Sequence, residues 1–209
     1  MRTIRIPRDV WWFASGDWGS NAPGCIHWWF DVSDGHWHIG LELKFQRETV
    51  ESVARKFHAL TKAEGLTRKC AAFVLDPACW TDGSDGIAHQ FQRYKLPIMK
   101  GINDRKNGWQ RIHELFRPAP DGLPWLTIDA YRCPYLARTI PQQMSAENDP
   151  DDINTRGDDH GVDSLRMGAM SGFVMRRSAG ARKAPPKPGS YAYLKQQGQR
   201  VVHGVLARR

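Results

Sequence analysis

Along residues 36–45 apolar and polar side chains alternate one by one. Trp37, Ile39, Leu41, Leu43 and Phe45 fall on one side of an extended chain. The pattern predicts a strand with its odd positions buried and His36, His38, Glu42 and Lys44 on a solvated face. His36 and His38 are metal-ligand types, but on such a face they read as ordinary solvated side chains. Asp34-Gly35 just before it is a two-residue hairpin signal, which makes residues 24–33 the antiparallel partner. Residues 9–15 are apolar and aromatic and suit another strand. That run stops at Gly16-Asp17-Trp18-Gly19, where two glycines allow a tight turn around an acid.

The period then changes. Thr49 is placed to cap a helix reaching about residue 64, with Val50, Val53, Phe57 and Leu60 on one stripe and Gly65 closing it. Residues 70–75 (CAAFVL) are wholly apolar, as a central strand covered on both faces is, and Asp76-Pro77 ends them. A glycine-rich loop over 81–86 leads to a short helix ending near residue 94, and 96–99 reads as a further core strand. Trp109, Ile112 and Phe116 mark a helix, 125–128 a short strand, and Pro134 opens a helix carrying Leu136 and Ile140. Residues 147–159 are polar and acidic, a surface loop. Asp158 and Asp159 then cap a last helix whose Val162, Leu165, Ala169 and Phe173 share one stripe.

Three strands in a meander followed by strands alternating with helices predict an α/β fold. Its mixed sheet combines an antiparallel three-strand meander with parallel strands and carries helices on both faces. The pattern fails after about residue 175, and 184–190 is a proline-rich linker type. The expected organisation is a domain over 1–175 and a basic, Pro/Gly-containing flexible tail over 176–209.

Charge sharpens this division. The net charge is +8, but residues 176–209 hold nine Lys/Arg and no Asp/Glu, leaving 21 basic and 22 acidic residues in the domain, a net of −1. Nucleic-acid binding by the domain therefore requires a local patch. The four cysteines, Cys25, Cys70, Cys79 and Cys133, have no zinc-type spacing and read as reduced core thiols of a cytosolic protein. No run approaches a membrane-spanning length and no signal peptide opens the chain, so no membrane partner is expected.

Candidate chemistry lies at element ends. Asp17 ends the first strand and Asp76 the buried one, and groups beyond strand ends of an α/β sheet face its functional crevice. If the two strands are neighbours their carboxylates converge, and Asp163, one turn into the last helix beside its buried stripe, completes a three-acid set. Packed anions repel strongly, and divalent cations with a taste for oxygen, Mg²⁺ or Mn²⁺, relieve this. Two such ions about 4 Å apart clamp the attacking and leaving oxygens in phosphodiester hydrolysis. His160 shares the helical face of Asp163.

The Gly16-Asp17-Trp18-Gly19 turn, the buried strand ending in Asp76, the segment 100–109 and Asp159-His160-Gly161-Val162-Asp163-Ser164-Leu165-Arg166 together resemble the nuclease domain of the large terminase subunit of tailed bacteriophages. The resemblance spans roughly residues 8–175, and its most specific piece is Asp-His-x-x-Asp-x-Leu-Arg. It implies a ribonuclease-H-like fold and metal-dependent endonuclease cutting of concatemeric viral DNA during genome packaging, in the cytoplasm of a bacterial host. It assigns metal binding to Asp17, Asp76 and Asp163, puts His160 close to the site, and implies double-stranded DNA, the portal, the small terminase subunit and a terminase ATPase domain as partners. The sequence departs from a complete large terminase in having no Gly-x-x-x-x-Gly-Lys-Ser/Thr phosphate loop, which reads as an excised domain, a split gene product or a remnant. Met167 stands where an aromatic residue is frequent.

Lys100, Arg105, Lys106 and Arg111 form the main basic cluster of the domain, either a phosphate-binding rim or ordinary solvated charge. Arg166 either reaches phosphate or pairs with Asp163 or Asp159. Trp11, Trp12, Trp28, Trp29 and Trp37 read as strand packing, while Trp18 and Trp80 stand next to candidate catalytic acids. Two other readings compete: another ribonuclease-H-like nuclease of the resolvase type, and a catalytically silent DNA-binding or assembly module working through its tail.

Overall fold

The computed structural model describes residues 4–19, 21–33, 35–81, 83–143, 145–146, 149–153 and 159–174. The tail over 176–209 and the capping Asp158 lie outside them. β1 (Trp12–Asp17), β2 (Gly24–Ser33) and β3 (His36–Phe45) form the expected meander. β1 begins three residues later than its apolar run and continues through Gly16 and Asp17, because both residues still pair with β2. α1 (Val50–Ala63) follows, its Thr49 side chain accepting the Ser52 N–H at 3.2 Å, a cap contributing about 1 kcal/mol. Then come β4 (Phe73–Leu75), a 3₁₀ turn (Pro77–Trp80), α2 (Ile87–Arg93), β5 (Ile98–Lys100), α3 (Arg105–Phe116), β6 (Leu126–Ile128) and α4 (Pro134–Thr139). A short ladder of β7 (Ser145–Ala146) and β8 (Asp149–Ile153) stands where the acidic segment predicts a loop, and α5 (His160–Ala169) ends the described fold.

The six main strands lie in the order β5-β4-β1-β2-β3-β6. β4 runs parallel to β1, β5 to β4, and β6 to β3, so the sheet is mixed as expected. One core packs α1 and α2 against the face that carries Trp12, Ile26, Trp28, Phe30 and Phe73. The other packs α3, α4 and α5 against Phe13, Trp29, Trp37, Ile39 and Val74. Trp28 stacks on Phe57 of α1 at a centroid distance of 4.6 Å, and Phe13 stacks on Trp29 at 5.4 Å. Trp12, Trp28, Trp29 and Trp37 are fully buried, which agrees with their reading as strand packing.

Two expectations are corrected by β3. Its odd positions do not share a face: Trp37 and Ile39 join the second core, Leu41, Leu43 and Phe45 the first. The pairing explains this. Trp28 lies opposite Leu41 but Trp29 opposite Ile39, so Gly40 is an extra residue that flips the alternation. With helices on both faces the expected solvated side is largely covered: Lys44 is exposed as expected, but His36, His38 and the Glu42 side chain are not. His38 is 2% exposed and bonded through Nδ1 to Thr127 Oγ1 at 2.9 Å, and His36 is half-buried against Trp125 and paired with Asp121. On α3 the buried position is Leu115, while Phe116, read as part of the apolar stripe, is exposed.

Candidate active site

The last pair of the β1–β4 ladder is Gly16 with Leu75. Asp17, the last residue of β1, and Asp76 each follow it directly, so both acids stand just past the end of the parallel ladder, and Asp76 acts electrostatically on Asp17. Asp76 Oδ1 accepts the Ala78 N–H at 2.8 Å, which fixes its carboxylate at the start of the 3₁₀ turn. The Gly101 N–H bonds to Leu75 O at 2.8 Å and seals the next strand against the same corner.

α5 brings the third acid. It lies across β1 and β2, and Gly168 permits this approach: a Cβ there would sit 2.3 Å from carbons of the Trp29 indole. Gly108 of α3 plays the same part on the other side, where a Cβ would meet Arg166 Cγ at 2.5 Å. Polar contacts set the helix's position along the sheet. Ser164 Oγ donates to Ser15 O at 3.1 Å and lies 2.9 Å from His27 Nδ1, and Trp29 Nε1 donates to Ser15 Oγ at 2.8 Å. Asp163, adjacent to Ser164, is thereby held at the strand ends.

Two of the acids have positively charged or proton-donating counterparts. His160 Nδ1 donates to Asp17 Oδ2 at 2.5 Å. Arg166 Nε and Nη2 both contact Asp163 Oδ1 at 2.9 Å, and Arg105 Nη1 stands 4.0 Å from Asp163 Oδ2. Burial pushes the Asp17 carboxyl above the usual range; His160 opposes this and the negative charges of Asp163 and Asp76 add to it. Its hydrogen bond to Asp17 raises the His160 imidazole, with Asp159 and Asp163 reinforcing. Asp159 makes no side-chain cap bond to α5, contrary to expectation; it is 9% exposed, and burial followed by Asp163 raises its carboxyl. It is a fourth acid of the cluster that reading it as a cap overlooked, although its place one residue before His160 was the available signal.

The other candidates separate. Arg166 is 1% exposed and takes the second of its two readings, the pair with Asp163. Arg105 is half-buried at the start of α3, Lys106 is exposed beside it, and Arg111 pairs with Glu114 at 2.9 Å. Lys100 ends β5 with its Nζ 6.0 Å from the Trp80 ring centroid. Trp18 packs edge-on against Phe91 and tilted against Phe45, inside the first core.

The donor set is of the kind a hard divalent cation takes: carboxylate oxygens from three separate elements, near enough to act on one another electrostatically and only partly offset by two guanidinium groups and an imidazole. Among the described residues, however, Asp17, Asp76 and Asp163 do not form a group whose ligand atoms all lie within 4.8 Å of one another.

No protein-family profile matches the sequence, and no curated protein matches it. Solved structures do match in fold. The chain superposes on the P22 large terminase nuclease domain with a TM-score of 0.62 at 14% identity, covering 85% of this chain and 87% of that one. For the large terminase of a thermophilic bacteriophage, solved in complex with ATP-γ-S, the values are 0.65, 13%, 82% and 42%. For the large terminase nuclease of the thermophilic phage G20c with bound zinc they are 0.53, 13%, 78% and 82%, and that nuclease is also solved with bound cobalt. The chain thus spans about two fifths of the length of the terminase solved with ATP-γ-S. The fold is the ribonuclease-H-like α/β fold of terminase nuclease domains.

Proposed function

We propose that this chain is a divalent-metal-dependent endonuclease for double-stranded DNA, the cutting module of a phage genome-packaging system. The observation that supports it most is the meeting of Asp17, Asp76 and Asp163 at one end of the sheet, in a fold shared with terminase nucleases. Asp17, Asp76 and Asp163 would hold two ions of the Mg²⁺ or Mn²⁺ class, which supply Lewis-acid activation of water and neutralise the charge of the scissile phosphate. The chain's own groups do the positioning. Arg166 holds Asp163 Oδ1 and leaves Oδ2 toward the cleft. The Ala78 N–H orients Asp76. His160 keeps a proton at Asp17 Oδ2, so it is placed to take up or release one when that oxygen gains another partner. Lys100, Arg105 and Lys106 flank the cluster as contacts for the DNA backbone, with Arg111 at the edge of the same rim. On this reading the motor ATPase, the small subunit and the portal are supplied by other parts of the packaging machinery.

A plasmid-nicking assay with and without Mn²⁺ tests the proposal. Asp17→Asn, Asp76→Asn and Asp163→Asn are each expected to abolish metal-dependent cleavage with the fold intact by circular dichroism. His160→Ala is expected to slow cleavage about ten- to hundredfold, the usual size of a loss next to metal ligands. Full activity in any aspartate variant removes that residue from the site, and wild-type protein that binds DNA without nicking it points to the silent module.

A further inference from the structure

Beside the acid cluster, on the same face of the sheet, β2 and β3 present Cys25, His27 and Glu42. All three are buried: Cys25 and His27 are 0% exposed and the Glu42 side chain 3%. Cys25 Sγ lies 3.3 Å from His27 Nε2, and His27 Nε2 lies 3.2 Å from Glu42 Oε2. The three ligand atoms fall within 4.8 Å of one another. A tetrahedral ion with bonds of about 2.0–2.3 Å keeps its ligands about 3.3–3.8 Å apart, so small shifts of these side chains would bring them into a coordination shell.

The hydrogen bonds around the trio fix which atoms point inward. Ser164 Oγ lies 3.1 Å from Ser15 O and 2.9 Å from His27 Nδ1; a hydroxyl that donates to the carbonyl accepts from His27, which is the tautomer that frees Nε2 for an ion. In the neutral ring Nε2 is then a lone pair, and it faces a carboxylate oxygen and a sulfur. Glu42 is held as an acceptor by the Tyr135 and Leu136 N–H groups at 2.9 and 2.8 Å. A sulfur, a ring nitrogen and a carboxylate oxygen therefore converge in a dry interior; without an ion the Cys25 thiol keeps its proton and the trio is joined by hydrogen bonds, and an ion would bind by displacing that proton. The backbone N–H groups behind Glu42 and the hydroxyl behind His27 are the outer contacts that orient metal ligands.

We infer that Cys25, His27 and Glu42 form a binding site for a thiophilic divalent ion of the zinc class, distinct in its ligands from the carboxylate cluster and independent of the nuclease reading. A thiolate, an imidazole and one carboxylate select zinc or cobalt over magnesium. The ion would join β2 and β3 to the start of α4 and, through His27 and Ser164, to the helix that carries His160 and Asp163. One coordination position is left to a non-protein ligand.

The full chain loaded with Zn²⁺ is examined by X-ray absorption, with Asp163→Asn as host so that the acid cluster competes less. The expected shell has one sulfur at about 2.3 Å and nitrogen or oxygen at about 2.0–2.2 Å. A shell of nitrogen and oxygen alone overturns the site. Replacement by Co²⁺ is expected to give a thiolate-to-cobalt charge-transfer band that is lost in Cys25→Ser and kept in Cys79→Ala and Cys133→Ala. A band that survives Cys25→Ser assigns the sulfur elsewhere and also overturns the site. Where the buried Cys25→Ser variant folds poorly, a wild-type band kept in Cys70→Ala, Cys79→Ala and Cys133→Ala assigns the sulfur to Cys25 by elimination, and its loss in any one of them overturns the site.

Discussion

Burial sets the chemistry of single residues here more than sequence neighbourhood does. His38 shows it: burial holds its imidazole below the usual range, and among the described residues its Nε2 has no hydrogen-bond partner. The unfolded chain takes up a proton near pH 6.5, an ordinary histidine value, while the native state resists it. The contribution is therefore present above that pH and lost as pH falls through it. Urea midpoints are expected to decline between pH about 7 and 5 in the wild type and to decline less in His38→Gln. An unchanged slope would show that His38 titrates normally in the fold. The raised imidazole of His160 works the other way, stabilising at low pH and fading as pH rises through its folded value. Asp17, Asp76 and Asp163 were readable in the sequence because each stands where a local pattern stops or begins. The burial of His38 was not, because it depends on β6 and Thr127 joining β3 from ninety residues away, which no residue near His38 encodes.

At the scale of elements, the meander and α1 follow directly from alternation, a turn dipeptide and a cap. β2 and β3 span the residues their pattern predicts. The change of face within β3 escaped that reasoning, since an extra residue exists only relative to the strand it pairs with. The same reason hid Cys25, His27 and Glu42: they are not a contiguous motif. Yet counting outward from the hairpin turn places His27 opposite Glu42, and that register was the signal to use. Helix placement makes a further prediction. Ala in place of Gly168 gains about 1 kcal/mol of helix propensity. It also puts a methyl 2.3 Å from an indole that is fully buried and bonded to Ser15, so the ring cannot yield. Overpacking of this kind costs about 1–3 kcal/mol, and it wins. Gly168→Ala is expected to lower the urea midpoint and to reduce cleavage through displacement of α5; an unchanged midpoint would show that the helix does not sit this close to Trp29.

For the whole molecule, charge divides along the chain. The nine Lys/Arg of residues 176–209 carry the positive excess, while the domain that holds the acid cluster is close to neutral. For every phosphate that the protein ceases to neutralise, the salt dependence of DNA binding falls by about one unit of slope. A chain cut after Met175 is expected to bind DNA more weakly with a flatter salt dependence, and still to nick saturating plasmid with Mn²⁺. Loss of nicking at saturation would place part of the site beyond residue 175. Composition alone supports this prediction, whereas the acid cluster depends on β1, β4 and α5 meeting.

That meeting joins distant parts of the chain. The bond between Asp17 and His160 closes a loop of 143 residues, and every strand of the main sheet after β1 lies within it. Contacts of such sequence separation form late, after the entropy of the intervening chain has been lost to other structure. During synthesis the N-terminal strands emerge first and wait for α5. A nascent or broken chain ending before His160 holds at most two of the three acids. On the proposed reading, nuclease competence arrives with α5, and a chain broken before His160 is expected to leave DNA uncut.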